Sequence, residues 1–534
     1  MLAEKVKAGS LPPIDDRLPS NPLVLEPVEA IGTYGGSIKN IDTDGMGQTS
    51  MYKSVEPFVK WNRNLVGARA NVLESWEWND SATEVTTYFR KGMKWSDGEP
   101  LTVDDYLFWW NDMVIDETVP EVEPAGTRVN GELMKVDKVD DFTLKFTFAV
   151  PNPLFLELHS RGFYHSAKFL VPEHYLKKFH PKYAPENKDS NALMDRYNQG
   201  NNHFVDMPTH FPWMTVEYLQ GQRAIFERNP YYWKVDTEGN QLPYIDKFEV
   251  NIVDNNANFS EQVLLRSVAG EINFQVRDIA ISDVPLVMEK AQTADYKVIM
   301  WQRGDYAWPW IMLYYDYIKD KGIEDLMYEP KFRRAMSVAI DRNRINEVVA
   351  LGLAKPRAFA LSPESPEFQT PEGKKVYEAW SSSYAQYDPE QAKAWLDEIN
   401  VKDVDGDGFR EQPNGKKLEL IVEIPVNDPK DTDSMGLVKE NWENIGLKTT
   451  LVTEEWSVID QHSAAGELMI RAWGSAAAWG LISASPVWAP VEGVSYCGGG
   501  QRIGLYYQTG GKQGVPPRPG SMLEKMQKLY TEVI

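Results

Sequence analysis

The chain has 534 residues and carries 56 Lys and Arg against 78 Asp and Glu, a formal charge of −22. Hydrophobic residues make up 42% and aromatic residues 12%, which is enough to fill large cores and excludes disorder as the main state. So acidic a chain repels phosphate, and no run of Lys and Arg forms a basic stripe, which argues against nucleic acid as a partner.

Residues 1–50 are rich in Pro and Gly (LPP, NPL, EPV, YGG) and predict an extended arm with short strands. The opening MLAEKVKAGSLPP lacks the apolar core of a signal peptide, so the protein either stays inside or starts past a cleavage point. Val72 to Trp95 has a strand-like pattern, and Asp97-Gly98 marks a turn. Thr102 to Asp105 fits a capping box. The helix that follows places Val103, Tyr106, Leu107, Trp110, Met113 and Val114 on one face. From Asp141 to Phe148, Phe142, Leu144, Phe146 and Phe148 point one way, as in a half-buried strand. Val171 to Phe179 reads as a short helix, Ile225 to Val253 as strands around a turn-rich centre, and Phe259 to Ala269 as a helix ended by Gly270. A long helix is predicted from Lys331 to about Ala350, with Phe332, Ala335, Met336, Ala339 and Ile340 on one stripe. Another runs from Asp388 to about Asn400, led by Pro389. Strands at Lys417 to Ile424 and Lys448 to Val452 flank a helix over Asp433 to Ile445. Gly498-Gly499-Gly500 reads as a flexible loop. Ser521 to Ile534 reads as an amphipathic helix with Met522, Met526, Leu529 and Val533 on one stripe. It stops without a C-cap signal, so the natural chain is expected to continue. Strands and helices interleave throughout, so the class is α/β or α+β. No stretch of about 18 apolar residues is present, so no membrane-spanning helix is expected.

Familiar catalytic motifs are missing. There is no GxSxG or HExxH. The nearest approach to a phosphate loop, Gly510-Gly511-Lys512-Gln513, lacks the Ser or Thr and has Tyr506 at the first glycine position. The single cysteine, Cys497, forms no intrachain disulfide. Six of the seven histidines lie between His159 and His210, without the i,i+4 pair of a helical zinc site. No local pattern selects two carboxylates as a glycosidase pair. One loop is more specific: Asp403-Val404-Asp405-Gly406-Asp407-Gly408 has the D-x-D-x-D-G start of a calcium loop, with Asn414 where the bidentate Glu would stand. Two readings remain open: an Asp/Gly turn that needs no cofactor, or a structural calcium on Asp403, Asp405 and Asp407.

Several segments together resemble one family. Tyr88 to Met113 (YFRKGMKWSDGEPLTVDDYLFWWNDM) resembles the signature of the family 5 extracellular solute-binding proteins of ABC transporters, the oligopeptide- and dipeptide-binding type. Ser75-Trp76-Glu77, Arg228 to Phe248 (RNPYYWKVDTEGNQLPYIDKF), Gly270 to Phe274, Phe332 to Arg342 (FRRAMSVAIDR) and Asp388 to Arg410 are similar to further family segments, in family order. Met1 to Pro27 is similar to a long-chain subgroup that includes proposed oligosaccharide binders. There this stretch lies soon after the signal peptide, so the resemblance implies a mature or trimmed form.

The resemblance implies a mixed α/β, two-lobed periplasmic-binding-protein fold with a hinge and an extra domain. Residues 1–55 with 208–273 would form the first lobe, 56–207 the extra domain and 274–534 the second lobe. It implies a monomer outside the cytoplasm, in the periplasm or lipid-anchored, that closes over a small-molecule ligand and presents it to an ABC permease without turnover. Peptide binders of the family carry an Asp after a hinge-strand Trp, where it pairs with the ligand's amino group. Here Ala476 stands at that place, and no carboxylate occurs between Glu467 and Glu492. A buried ammonium without a partner is costly, whereas an indole offers a flat face for a sugar ring. Trp473, Gly474 and Trp479 are therefore candidate ligand residues. Trp308 and Trp310, flanking Pro309, read equally as core or ligand face. The expectation is an oligosaccharide or oligopeptide binder, the sugar favoured. A secreted hydrolase such as a glycosidase, or a receptor on the same fold, is the alternative.

Overall fold

Strands β1 (Ser37–Asp42), β2 (Leu73–Trp78), β3 (Glu84–Phe89), β4 (Lys135–Asp140), β5 (Thr143–Thr147), β6 (Trp213–Leu219), β7 (Arg223–Arg228), β8 (Lys247–Ile252), β9 (Tyr306–Leu313), β10 (Glu419–Pro425), β11 (Lys448–Glu454) and β12 (Ile470–Ala476) build three four-stranded sheets in the computed structural model. The structure describes residues 1–63, 66–120, 123–124, 126–129, 131–160, 169–254, 258–276, 278–301, 306–426, 429–476 and 485–533. The chain divides into unit 1, Met1–Ile279 with Leu286–Val298, and unit 2, Ala280–Pro285 with Ile299–Ile534.

Unit 1 holds two of the sheets. The first, in the order β2-β3-β5-β4, is antiparallel throughout. The alternation of β5 buries Leu144 and Phe146, and the strand's continuation buries Phe148. These pack with Phe58, Trp95, Tyr106, Trp109 and Trp110 in one core. Thr102 and Asp105 form the expected capping box at the start of the helix Val103–Phe108, which passes into a π-helical turn, Trp109–Val114. Asp105 does more than cap its own helix. Besides the Thr102 N–H at 3.0 Å, it accepts from Trp95 Nε1 at 3.1 Å and from the N–H of Glu173 at 3.0 Å, so one carboxyl joins three segments. Burial pushes that carboxyl up to about 7, against the pull of the three N–H donors. The second sheet, in the order β6-β7-β8-β1, takes β1 parallel to β8. Its core joins Trp213, Phe226, Phe248 and Val250 with Met46.

The turn-rich segment between β7 and β8 is a packing element. Tyr232 and Trp233 are buried, Tyr232 Oη donates to Glu56 Oε1 at 2.6 Å, and Lys234 Nζ reaches Glu56 Oε2 at 2.6 Å. The Lys234 ammonium also lies 4.6 Å from the Trp233 ring centroid.

In unit 2 the sheet order is β9-β12-β10-β11. β10 runs parallel to β11 and β12, and β9 runs antiparallel to β12. Ile470, Ala472, Leu420 and Val422 share a core with Met435, Val438 and Trp442 of the helix Pro429–Asn444. A second cluster joins Trp310, Met312 and Tyr314 of the β9 region with Ile459 of the helix Trp456–Ala465.

Four sequence expectations change. The N-terminal arm contains two short helices, Leu2–Lys7 and Gly47–Lys53, in which Leu2 and Lys53 are buried. The long helix predicted over 331–350 is two, Pro330–Val338 and Arg342–Val349. Asp341 accepts the Arg344 N–H at 3.0 Å and starts the second, because an Asp cap competes with helix continuation. The terminal helix, Met522–Val533, buries Leu523 and Gln527 and leaves Met522 and Leu529 exposed. Gln527 Nε2 donates to the carbonyls of Pro490 and Ile503, and those bonds turn the helix away from the predicted stripe. The Gly498–Gly500 run is packed: the Tyr315 N–H donates to Gly499 O at 3.1 Å, and Gly500, at φ +125°, lies where a Cβ would strike the Asp316 carboxylate.

Asp316 is the distant cap of the helix Gln501–Gln508, accepting the Arg502 N–H at 3.0 Å. Burial pushes its carboxyl up to about 6. A folded value above the ordinary one near 3.8 gives a contribution complete below that pH and lost as pH rises through 6. Asp316→Asn has no charge to bury. Its stability relative to wild type is expected to improve as pH rises from 4 to 8 in urea titrations, and a gap independent of pH would contradict this.

Candidate ligand-binding site

The register of β9 and β12 pairs Trp310 with Trp473 and Met312 with Arg471. Directly opposed residues of an antiparallel pair share one sheet face. Trp310 and Trp473, read from the sequence in two separate stretches, are thus cross-strand neighbours. Between Ala307 and Trp310 the register slips at the Trp308-Pro309 step. This is a β-bulge, where proline is tolerated because no ladder N–H is needed.

The two tryptophans differ in environment. Trp310 is 6% exposed and lies in the core; its ring stacks on Phe359 at 4.9 Å and 10°, and Phe359 stacks on Trp488 at 4.5 Å and 20°. At Trp310 the Phe359 ring covers one flat side, which favours the core role for this residue. Trp473 is half-buried. It meets Trp456 edge-on at 5.0 Å and Tyr496 at 6.4 Å. Trp308 is in β9 by its backbone; its side chain and all of Trp479 lie outside the described residues.

Sequence reasoning missed three groups at Trp473. Arg471, two residues back and hence on the same strand face, is 0% exposed. Its guanidinium carbon lies 4.2 Å from the Trp456 ring centroid and 5.5 Å from that of Trp473, and its Nη1 donates to Ser495 Oγ at 3.2 Å. Asp460 is at 3.9 Å. Trp456, which opens the helix Trp456–Ala465, is partly exposed beside it. Asp431 accepts the N–H of Gly474 at 2.6 Å. The R-x-W spacing of 471–473 was a usable signal for Arg471. Nothing local connects Asp431 with Gly474. Behind this cluster, Tyr314 Oη donates to Ser495 O, and burial pushes that phenol well up. Glu423, pushed up by burial, pairs with His462 at 3.0 Å.

The acidic loop is arranged differently from the expected ligand set. Asp403, Asp405 and Glu411 bring ligand oxygens within 4.8 Å of one another, and Asp407 is not among the three. The loop is also laced by its own bonds. Asp403 accepts from the N–H groups of Gly406 and Gly408, Asp405 from Asp407, Asp407 from Phe409 and Glu411 from Val404. Among the described residues no histidine joins a group able to hold a metal, and no helix is long and apolar enough to cross a membrane.

Residues 68–490 match the family model of bacterial extracellular solute-binding proteins, family 5 middle. The periplasmic alpha-galactoside-binding protein of Rhizobium meliloti is 27% identical over 502 residues, 86% of this chain and 68% of that protein. A probable ABC transporter-binding protein of Deinococcus radiodurans is 26% identical over 399 residues, 70% of this chain and 59% of its own length. Among solved structures, an oligopeptide-binding protein OppA aligns at TM-score 0.69 and 31% identity, covering 100% of this chain and 85% of that one. The periplasmic binding protein MelB of Agrobacterium fabrum, in complex with stachyose, aligns at TM-score 0.74 and 23% identity, covering 100% and 79%. These are the names of binding proteins, none of a hydrolase, and the mixed α/β fold is that of the OppA-type periplasmic binding proteins. The chain belongs to the bacterial extracellular solute-binding proteins, family 5.

Proposed function

We propose that the protein captures an oligosaccharide outside the cytoplasm, as a monomer, and hands it unchanged to the membrane permease of an ABC importer. The observation that carries this reading is the Trp473 platform: a half-buried indole flanked by Arg471 and Trp456, with a glycine immediately after it. An aromatic face with small neighbours accepts the apolar side of a sugar ring, and polar groups at its edge fix the orientation. Trp473 and Gly474 are proposed to touch the ligand, joined by Trp308 and Trp479. The alpha-galactoside-binding relative supports a sugar. So does the charge pattern. No carboxylate lies in 471–479, and Asp431, which touches this stretch, is 0% exposed and engaged with the Gly474 amide; the half-exposed Asp460 lies 3.9 Å from the Arg471 guanidinium, which partners it, so a peptide's ammonium would have to compete for its anion here. In this reading residues 1–55 with 208–273 and 274–534 are the two lobes, and 56–207 is an added domain.

A peptide ligand is the second reading, favoured by the 31% identity to a protein named for oligopeptide binding. A thermal-shift screen with short peptides and with α- and β-linked oligosaccharides separates the two, because a ligand held only by the folded state raises Tm by mass action. A shift with sugars alone, and recovery of the sugar intact after incubation, is expected. A shift with peptides alone would replace the proposal with its rival, and cleavage of the sugar would make the protein an enzyme.

No cofactor is proposed to be required. The 403–411 loop closes on its own side chain to backbone bonds, so Tm is expected to be the same with and without a chelator. A fall on chelation would assign calcium to Asp403, Asp405 and Glu411.

A further inference from the structure

The pairing of β12 explains why the Gly474 amide turns to a side chain. Among the described residues β12 pairs with β10 at Ile470 and Arg471. Against β9 it pairs at Arg471, Ala472 and Trp473, slips, and resumes at Ser475 opposite Ala307. Trp308 and Pro309 therefore stand opposite the single Gly474, the two-against-one count of a bulge. Gly474 is buried, and a buried amide left without an acceptor is costly. Asp431, in the first turn of the helix Pro429–Asn444, supplies the acceptor at 2.6 Å. A bond of 2.6 Å to an acceptor on the first turn of that helix holds its partner firmly.

Trp473 is thus fixed on one side by its register with Trp310 and on the other by the bond from the next residue to Asp431. We infer that Asp431 is a positioning residue for ligand capture: its carboxylate pins the bulged end of β12 and sets the angle at which Trp473 meets the ligand. This rests on the reading of Trp473 as the ligand platform. It adds that a fully buried side chain controls affinity through the backbone.

The test uses Asp431→Ala and Asp431→Asn, each alone and combined with Trp473→Ala. Without any ligand, the emission contributed by Trp473 (wild type minus Trp473→Phe) is expected to shift in Asp431→Ala. It is expected to be retained in Asp431→Asn, which keeps one acceptor oxygen. With a sugar that shifts the wild-type melt, Asp431→Ala is expected to weaken binding about tenfold, and that loss is expected to vanish in the Trp473→Ala background. If the alanine variant does not fold, Asp431→Asn runs the same cycle with an expected loss of about threefold. An equal loss in both backgrounds, or a Trp473 emission that ignores Asp431→Ala, overturns the inference. Should no sugar bind the wild type, the ligand reading fails separately, and the emission arm still decides the role of Asp431.

Discussion

Replacing Lys234 with Met is expected to destabilise unit 1 by about 3 kcal/mol, because the buried Glu56 carboxylate then keeps only the more exposed Lys60 as its ion partner. Lys234 and Glu56 are 2% and 6% exposed and 2.6 Å apart. Glu56 also accepts from Tyr232 Oη and from Asn71 Nδ2, and has the Lys60 ammonium at 3.4 Å. Burial alone would push the Glu56 carboxyl up. The two ammonium groups and the hydrogen bonds outweigh it and bring the carboxyl down to about 2, below its ordinary 4.5. A depressed carboxyl gives stability that is complete above 4.5 and lost as pH falls toward 2. The wild type is therefore expected to weaken across that window. The deficit of Lys234→Met is expected to shrink between pH 7 and pH 4, as the carboxylate left without Lys234 takes up a proton. Replacing Glu56 and Lys234 together recovers only part of the loss, because Tyr232 Oη then loses its acceptor and Asn71 Nδ2 one of its two, keeping the Pro57 carbonyl. Urea unfolding at pH 7 and pH 4 measures all three. A change below about 1 kcal/mol at pH 7 would mean that the pair is no more than a surface ion pair in effect.

The NPYYW segment shows how far local pattern carries. Its tyrosine and tryptophan were legible as packing residues around a turn, but the charge they shelter comes from Glu56, 178 residues before Lys234. The signature region behaves alike. The Thr102–Asp105 box and the 142–148 alternation follow from spacing alone, because caps and pleats are local. The further bonds of Asp105 to Trp95 and Glu173 depend on tertiary packing. Where the local reading failed, a polar group overrode an apolar stripe. Asp341 breaks the 331–350 helix as an N-cap, and Gln527 turns the terminal helix toward two carbonyls. At the candidate site, composition could not separate Trp310 from Trp473, since both are aromatic residues in apolar strands. The difference comes from what lies above each ring, and that is set by a bulge at Pro309 and by residues far along the chain.

That difference supplies the sharpest contrast expected from mutation. Trp310→Ala empties a stacked core position and is expected to cost about 3–5 kcal/mol of unit 2 stability. Trp473→Ala removes a half-buried ring that touches Trp456, Tyr496 and the Arg471 guanidinium. Its stability cost is expected to be about 1 kcal/mol. Its effect is expected to fall on binding instead, with affinity for the proposed sugar ligand weakened about ten- to a hundredfold, as when an aromatic anchor is lost. Calorimetric melts and titration of the same two variants separate the roles. If Trp473→Ala lowered Tm as far as Trp310→Ala while affinity stayed the same, Trp473 would be a core residue, and the platform would have to lie elsewhere. Trp473→Phe sharpens the distinction: a smaller flat ring keeps the stacking face and loses the indole N–H. It is expected to retain most of the affinity if the face does the work, and to behave like the alanine variant if the N–H does.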